Sequence, residues 1–92
     1  MYLEIISPEA ILFAGEVNSV SVPGINGEFQ MLNNHAPVVS LLQEGSVKID
    51  GDLSIEEAYE SKFSKDADGY TTLSITSGTI EMKGNKVIVL AD

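Results

Sequence analysis

Apolar residues come in short runs along this chain, broken at close intervals by Gly, Pro, Asn and Asp. β-branched residues dominate the runs, a pattern that predicts an all-β fold, a two-layer β-sandwich of short, mainly antiparallel strands. Tyr2–Ser7 reads as a first strand, with Ser7-Pro8-Glu9 as a turn. Ala10–Ala14 reads as a second strand, apolar enough to be buried on both faces, and Gly15 stops it. In Glu16–Val22 the valines 20 and 22 alternate with Ser19 and Ser21, which predicts one buried and one exposed face. Pro23–Gly27 reads as a loop, with two glycines and Asn26 available for positive φ. Glu28–Leu32 follows as a strand, and Asn33–Pro37 as a second loop. Val38–Leu42, Ser46–Ile49, Thr71–Thr76, Thr79–Met82 and Lys86–Ala91 complete the strands. Gly84-Asn85, between Lys83 and Lys86, is the signature of a two-residue hairpin.

One stretch breaks this rhythm. Residues 50–69 hold Asp50, Asp52, Glu56, Glu57, Glu60, Asp66 and Asp68 against only Lys62 and Lys65. Ser54-Ile55-Glu56-Glu57 resembles a capping box, with Leu53 placed to staple onto Ala58. Ile55, Tyr59 and Phe63 recur at helical spacing, which favours a short helix near 54–63 of about two turns, although the same spacing also satisfies a strand. Asp66-Ala67-Asp68-Gly69 predicts a turn. The chain therefore reads as one domain, 1–92, with an acidic insertion at 51–69.

Charge narrows the function. The 92 residues carry fourteen Asp and Glu, five Lys and no Arg, for a net charge of −9. That balance excludes a nucleic-acid binder and argues against docking on anionic lipid. A charged partner should be basic. There is no cysteine, so disulfides and thiolate metal sites are excluded. No apolar run approaches the roughly 20 residues of a membrane span, and Met1-Tyr2-Leu3-Glu4 lacks the features of a signal peptide. The expectation is an unprocessed, soluble, intracellular protein.

Catalytic and cofactor motifs are weak. His35 is the sole histidine, and no serine, including Ser40 and Ser77, stands at a spacing that selects it as a triad partner. A loop brace or a protein contact is the expectation for His35. Gly24-Ile25-Asn26-Gly27 lacks the Lys and hydroxyl residue of a phosphate loop, and Glu28 would repel phosphate. The acids at 50–69 lack calcium-loop spacing. No cofactor, metal or catalytic residue is expected.

Three segments, taken in order, carry a resemblance. LEIISPEAILFAGEVNSVSVPGINGEFQ, NNHAPVVSLLQEG and ITSGTIEMKGNKVIVLAD resemble the N-terminal β-sandwich domain of the epsilon subunit of F-type ATP synthases, called delta in mitochondria. Gln30, Asn33, Asn34 and Thr79 depart from the family pattern, and the stretch 51–69 is longer than the family's hairpin. Longer members continue into an inhibitory helical hairpin just after the point matched by Leu90-Ala91-Asp92, so a chain lacking that hairpin is the expectation.

The resemblance implies a non-catalytic subunit of the central stalk. It would link the gamma subunit to the polar loops of the c-ring and couple proton translocation to ATP synthesis. It implies a peripheral location on the cytoplasmic face of a bacterial inner membrane, without lipid insertion. Gly24, Ile25, Asn26, Gly27 and Glu28 match the c-ring-facing loop, as do Asn34, His35 and Ala36, the two loops sharing one tip of the sandwich. Ser7 and Ser40 match positions near the gamma or ring contact. Glu28 would meet a basic ring loop in a rim pair of about 0.5–1 kcal/mol. The alternative reading is a free-standing acidic adaptor that contacts another basic protein through 50–69. A hydrolase centred on His35 is a distant third.

Overall fold

The computed structural model describes Met1–Asp92. Its strands are β1 Tyr2–Ile6, β2 Ile11–Glu16, β3 Ser19–Gly24, β4 Gly27–Met31, β5 Val38–Leu42, β6 Gly45–Asp50, β7 Phe63–Lys65, β8 Thr71–Ile75, β9 Gly78–Lys83 and β10 Lys86–Ala91. They form one continuous sheet in the order β2-β1-β10-β9-β5-β3-β6-β8-β7, with β4 paired to β3 off this path. β1 and β10 are parallel, and the other pairs are antiparallel. Between β5 and β3 the ladder narrows to the single pair Gly24↔Leu42. There the sheet folds over on itself and becomes the two layers of an all-β sandwich, β2-β1-β10-β9-β5 and β4-β3-β6-β8-β7.

Register explains which residues form the core. In the first layer one inward row runs Phe13, Ile5, Val89, Ile80, and the next runs Leu3, Val87, Met82, Val38. In the second layer Met31, Val20 and Ile49 form a row that continues through Thr71 to Lys65. Of these, Leu3, Ile5, Val20, Met31, Ile80, Val87 and Val89 are completely buried. A core of 19 buried apolar residues spans both layers, which supplies the main driving force at about 25 cal/mol per Å² of buried apolar surface. No helix is long and apolar enough to cross a membrane.

Most strands fall where the apolar runs place them, and the Gly84-Asn85 hairpin forms with both residues at positive φ, closing the pair Lys83↔Lys86. Four details differ. First, the run 10–14 is not buried on both faces, because Ile11 and Ala14 are exposed. Pairing slips from Ile5↔Phe13 to Ile6↔Ile11, so Leu12 is an extra residue in a bulge, and both Leu12 and Phe13 turn inward. Second, Glu16–Val22 is two strand ends with Val17-Asn18 between them, and Ser19 is buried, with the Gln30 amide donating to its hydroxyl. Third, Pro23 and Gly24 belong to β3, which leaves Ile25-Asn26 as the turn. Pro23 is tolerated because β6 pairs only as far as Ser21, so no partner needs an N–H at position 23.

The fourth concerns the acidic segment. Its helix is a short 3-10 helix, Glu57–Lys62, that leads directly into β7. No side chain caps it, so the capping box of Ser54 does not form. Ala58 is exposed and takes no staple. Leu53, Ile55, Tyr59 and Phe63 instead pack against the main core. Core packing therefore outweighs capping here, and it draws the segment flat against the sandwich mouth.

Candidate functional site

Each layer has an outward face, and the two differ in chemistry. On the second layer one outward row reads Gln30, Ser21, Lys48, Thr72, Ser64. Ser46 and Ser74 pair beside it, and Glu28 reaches Lys48 at 3.5 Å. This face is suited to water. On the first layer the outward row reads Ile11, Ile6, Leu90, Thr79, Leu41. The next row reads Ala14, Glu4, Ile88, Glu81, Val39. Val39 is 80% exposed, Leu41 59% and Leu90 49%. At one corner Ile25 joins Leu41 and Leu90 around a shallow cleft of about 450 Å³. Thr79, Glu4 and Glu81 interrupt these rows, yet exposed large apolar side chains concentrate on this side of the domain, as at an interaction site.

Charge frames this surface at its far side, where Lys86 and Lys83 lie in the row of Tyr2 and Glu16. Lys86 Nζ donates to Glu4 at 2.9 Å and sits 5.9 Å from the Tyr2 ring centroid. The hydrogen bond to Glu4 and then its negative charge hold the Lys86 ammonium above its ordinary pKa, with a smaller contribution from Tyr2.

The candidate residues divide into two groups. Gly24, Ile25, Asn26, Gly27 and Glu28 surround a cleft of about 290 Å³ together with Phe29 and Ser40, so Ser40 joins the turn. Ser7 borders a different cleft, beside Ile6, Pro8, Leu90 and Asp92. Its hydroxyl is engaged locally, accepting from the Ala10 amide and lying 3.2 Å from the Ala10 carbonyl. Asn34, His35 and Ala36 lie at the other end of β4. The five residues of that strand, about 17 Å at ~3.4 Å each, separate them from the turn. The single tip expected from the sequence is thus not formed, because a hairpin strand carries its two flanking loops to opposite ends.

The 33–37 loop is firmly held. Asn34 sits at φ 62 and donates its amide to Asn85 Oδ1 at 2.9 Å. Asn33 Oδ1 accepts from the Met1 ammonium at 2.7 Å, and Glu16 pairs with the same group at 3.2 Å. His35 donates from Nδ1 to the Ala36 carbonyl at 2.7 Å, and the side chain is otherwise exposed. That geometry fits a loop brace and leaves the ring edge free for a partner. No group of three His, Cys, Asp or Glu side chains is arranged to hold a metal ion.

The apolar face escaped sequence reasoning, although a signal was present. Val87–Ala91 is an unbroken apolar run and Val38–Leu42 nearly one. A strand apolar on both sides needs cover on both sides, and the sandwich covers only one.

Fold and faces together define a β-sandwich with one polar and one largely apolar outer face. Residues 1–92 match the family described as ATP synthase, Delta/Epsilon chain, beta-sandwich domain, and the chain belongs to that family. Its relatives include the ATP synthase epsilon chain of Chlorobaculum tepidum, 38% identical over 90 residues, which cover 98% of this chain and 86% of that one. The epsilon chain of Leptospira interrogans is 36% identical over 90 residues, 98% of this chain but 59% of its own length. Among solved structures, the Tetrahymena thermophila mitochondrial ATP synthase central stalk/c-ring superimposes with a TM-score of 0.72 at 13% identity, covering 99% of this chain and 62% of that one. A chain of the Euglena gracilis mitochondrial ATP synthase OSCP/F1/c-ring assembly gives 0.72 at 17% identity, over 97% and 48%. At such identities the likeness is one of fold.

Proposed function

We propose that this domain is a non-catalytic link in the central stalk of an ATP synthase. It docks on the gamma subunit through the outward face of β2-β1-β10-β9-β5 and rests on the c-ring. The observation that carries this reading is the contrast between the two outer faces. A freely tumbling sandwich would not leave Val39, Leu41, Ile25 and Leu90 exposed on one side while lining the other with Ser, Thr and Lys. Membership of a family whose relatives are ATP synthase epsilon chains supports this choice of partners. A stable contact buries about 1,200–2,000 Å² in total, and extents of 32 × 27 × 24 Å leave room for one such patch.

The ring contact is made side-on. β4 is an edge strand, paired only with β3. From Ile25 to Pro37 every residue except Phe29 and Met31 is exposed. This flank carries Gly24–Glu28 at one end and Asn34–Ala36 at the other, so both loops reach a broad surface together. Glu28 would have to exchange Lys48 for a ring cation. The subunit works peripherally at the membrane, on the cytoplasmic side in a bacterium, and transmits torque through a closely packed and poorly compressible core.

The test is co-purification with the gamma subunit. Wild type should form a complex at micromolar protein, and Val39→Asp with Leu41→Asp should lose it while keeping a native circular-dichroism spectrum. Complex formation unaffected by that pair would refute the assignment of the face.

A further inference from the structure

The turn between β3 and β4 holds the chain's one Asn-Gly pair, Asn26-Gly27. Such a pair carries a reaction of its own. The backbone nitrogen that follows an asparagine can attack the asparagine Cγ, and glycine, having no Cβ, obstructs that attack least. Three features leave it open here. First, Asn26 and Gly27 are both exposed, and nothing lies within 4 Å of the place a Cβ on Gly27 would take.

Second, the Asn26 carboxamide makes no hydrogen bond within the chain, whereas other loop asparagines are tied. Asn33 Oδ1 accepts from the Met1 ammonium at 2.7 Å, and Asn85 Oδ1 accepts from the Asn34 amide at 2.9 Å. Both are also followed by residues with side chains, Asn34 and Lys86. Third, Gly24↔Gly27 is the last pair of the β3–β4 ladder, and β4 has no strand on its other side. Freeing the Gly27 nitrogen therefore needs only the fraying of one end of an edge hairpin, a local opening of low free energy.

We propose that Asn26-Gly27 is a site of spontaneous deamidation, with water as the only co-reactant, and that the reaction ages the docking face of this subunit. The deprotonated Gly27 nitrogen attacks Asn26 Cγ and closes a succinimide ring. Asn26 Nδ2 leaves as ammonia, taking up the proton that the Gly27 nitrogen gave. Water then adds to one of the two imide carbonyls and breaks its bond to the shared nitrogen. Opening at Cγ yields aspartate. Opening at the main-chain carbonyl carbon yields isoaspartate, whose backbone runs through the former side chain and is one methylene longer. Nothing is oxidised or reduced. Either product adds a carboxylate, ionised at neutral pH, to a turn that already carries Glu28. Isoaspartate also lengthens the chain between the paired Gly24 and Gly27. Ile25, next in sequence, lines the apolar corner with Leu41 and Leu90. A carboxylate covered beside that contact is costly unless paired, so the modified face holds gamma less well. This consequence rests on the stalk reading, and the chemistry does not.

The test incubates the folded full chain at body temperature and mildly alkaline pH. Products are read by peptide mass spectrometry and by methyl transfer from a protein isoaspartate methyltransferase. Breaking one hydrogen bond first slows a reaction about fivefold, and a side chain after the asparagine slows it further. Asn26 should therefore convert faster than Asn33 or Asn85 by more than that factor. Its rate should rise about tenfold per pH unit, as the deprotonated fraction of the Gly27 nitrogen does. Asn26→Gln should remove both the mass gain and the methylation signal. The acidic product, separated by ion exchange, should leave gamma about fivefold faster than the unmodified chain, with Asn26→Asp reproducing the aspartate share of the effect. An Asn26 that stays intact, equal conversion at Asn33 or Asn85, or a methylation signal that survives Asn26→Gln overturns the site. An acidic product that leaves gamma no faster overturns the ageing of the face. If the unmodified chain itself does not bind gamma, the stalk reading fails and the docking consequence falls with it, while the mass and methylation results still decide the site.

Discussion

Gly78 shows how one residue can be fixed by its neighbours without any special backbone angle. A Cβ added there would sit inside contact distance of the Leu90 carbonyl oxygen, a backbone atom that cannot swing aside. Gly78↔Ala91 closes the β9–β10 ladder next to the sheet's fold-over pair, with Gly78 also opposite Leu42. Gly78→Ala should therefore cost about 2–4 kcal/mol, the range for overpacking at a site that cannot relax. At about 4–8 °C per kcal/mol for a domain of this size, thermal melting should fall by roughly 10 °C or more. At Gly84 nothing lies within 4 Å, and the only obstacle is φ +59, so Ala there should cost about 1–2 kcal/mol. A melt showing Gly84→Ala as the worse of the two would contradict this reading. Lys86 gives a second prediction at the same scale. Its partner Glu4 holds the ammonium above 10.5, so the folded value exceeds the unfolded one. The resulting stabilisation is complete below the unfolded pKa and is lost as pH rises through the raised folded value. Following the Lys86 side-chain resonances with pH should show titration return toward the ordinary value in Glu4→Gln. The Lys83-Gly84-Asn85-Lys86 turn was legible in the sequence. The Glu4 partnership was not, because it depends on the parallel register of β1 with β10, two strands at opposite ends of the chain.

At the level of elements, legibility followed how local the deciding force was. Hairpins and turns declare themselves because a few residues set their backbone angles. The Asp66–Gly69 turn is an example, with Asp66 Oδ1 accepting from the amides of Asp68 and Tyr70 at 3.0 and 2.9 Å. The bulge at Leu12 does not declare itself, because only the partner strand reveals the extra residue. The segment 54–63 lies between these cases. Its apolar residues Ile55, Tyr59 and Phe63 do pack against the core, but only Tyr59 lies in the helix, so the spacing marked burial and not a helix face. The capping box was a false signal, since tertiary packing holds the chain in another path before Glu57. This yields a paired test by urea denaturation. Ser54→Ala should change stability by less than about 0.5 kcal/mol, where a working N-cap would lose about 1. Asp66→Ala should lose about 1 kcal/mol through its two turn hydrogen bonds. A loss at Ser54 equal to that at Asp66 would restore the capped helix.

For the whole molecule, the family and layer count were readable, but the arrangement of the functional surfaces was not. Loops near in sequence were expected to be near in space. The length of β4 instead puts Glu28 and His35 at opposite ends of one exposed flank. The division of labour between surfaces leads to a kinetic prediction. The net charge is −9, and the proposed gamma-binding face is apolar at its centre. Charge acts at long range on the approach of a basic partner, and apolar burial acts only after contact. Raising salt from about 0.05 to 0.5 M shortens the screening length severalfold. It should slow association with gamma several-fold and leave dissociation nearly unchanged. Leu41→Ala should do the reverse. A half-exposed leucine that becomes covered contributes about 1–2 kcal/mol, so dissociation should speed up about 5- to 30-fold at an unchanged association rate. Surface plasmon resonance on immobilised gamma separates the two rates directly. If salt acted on dissociation, or Leu41→Ala on association, the docking surface would be held by its rim charges, and the apolar face of β5 and β10 would have to serve another purpose.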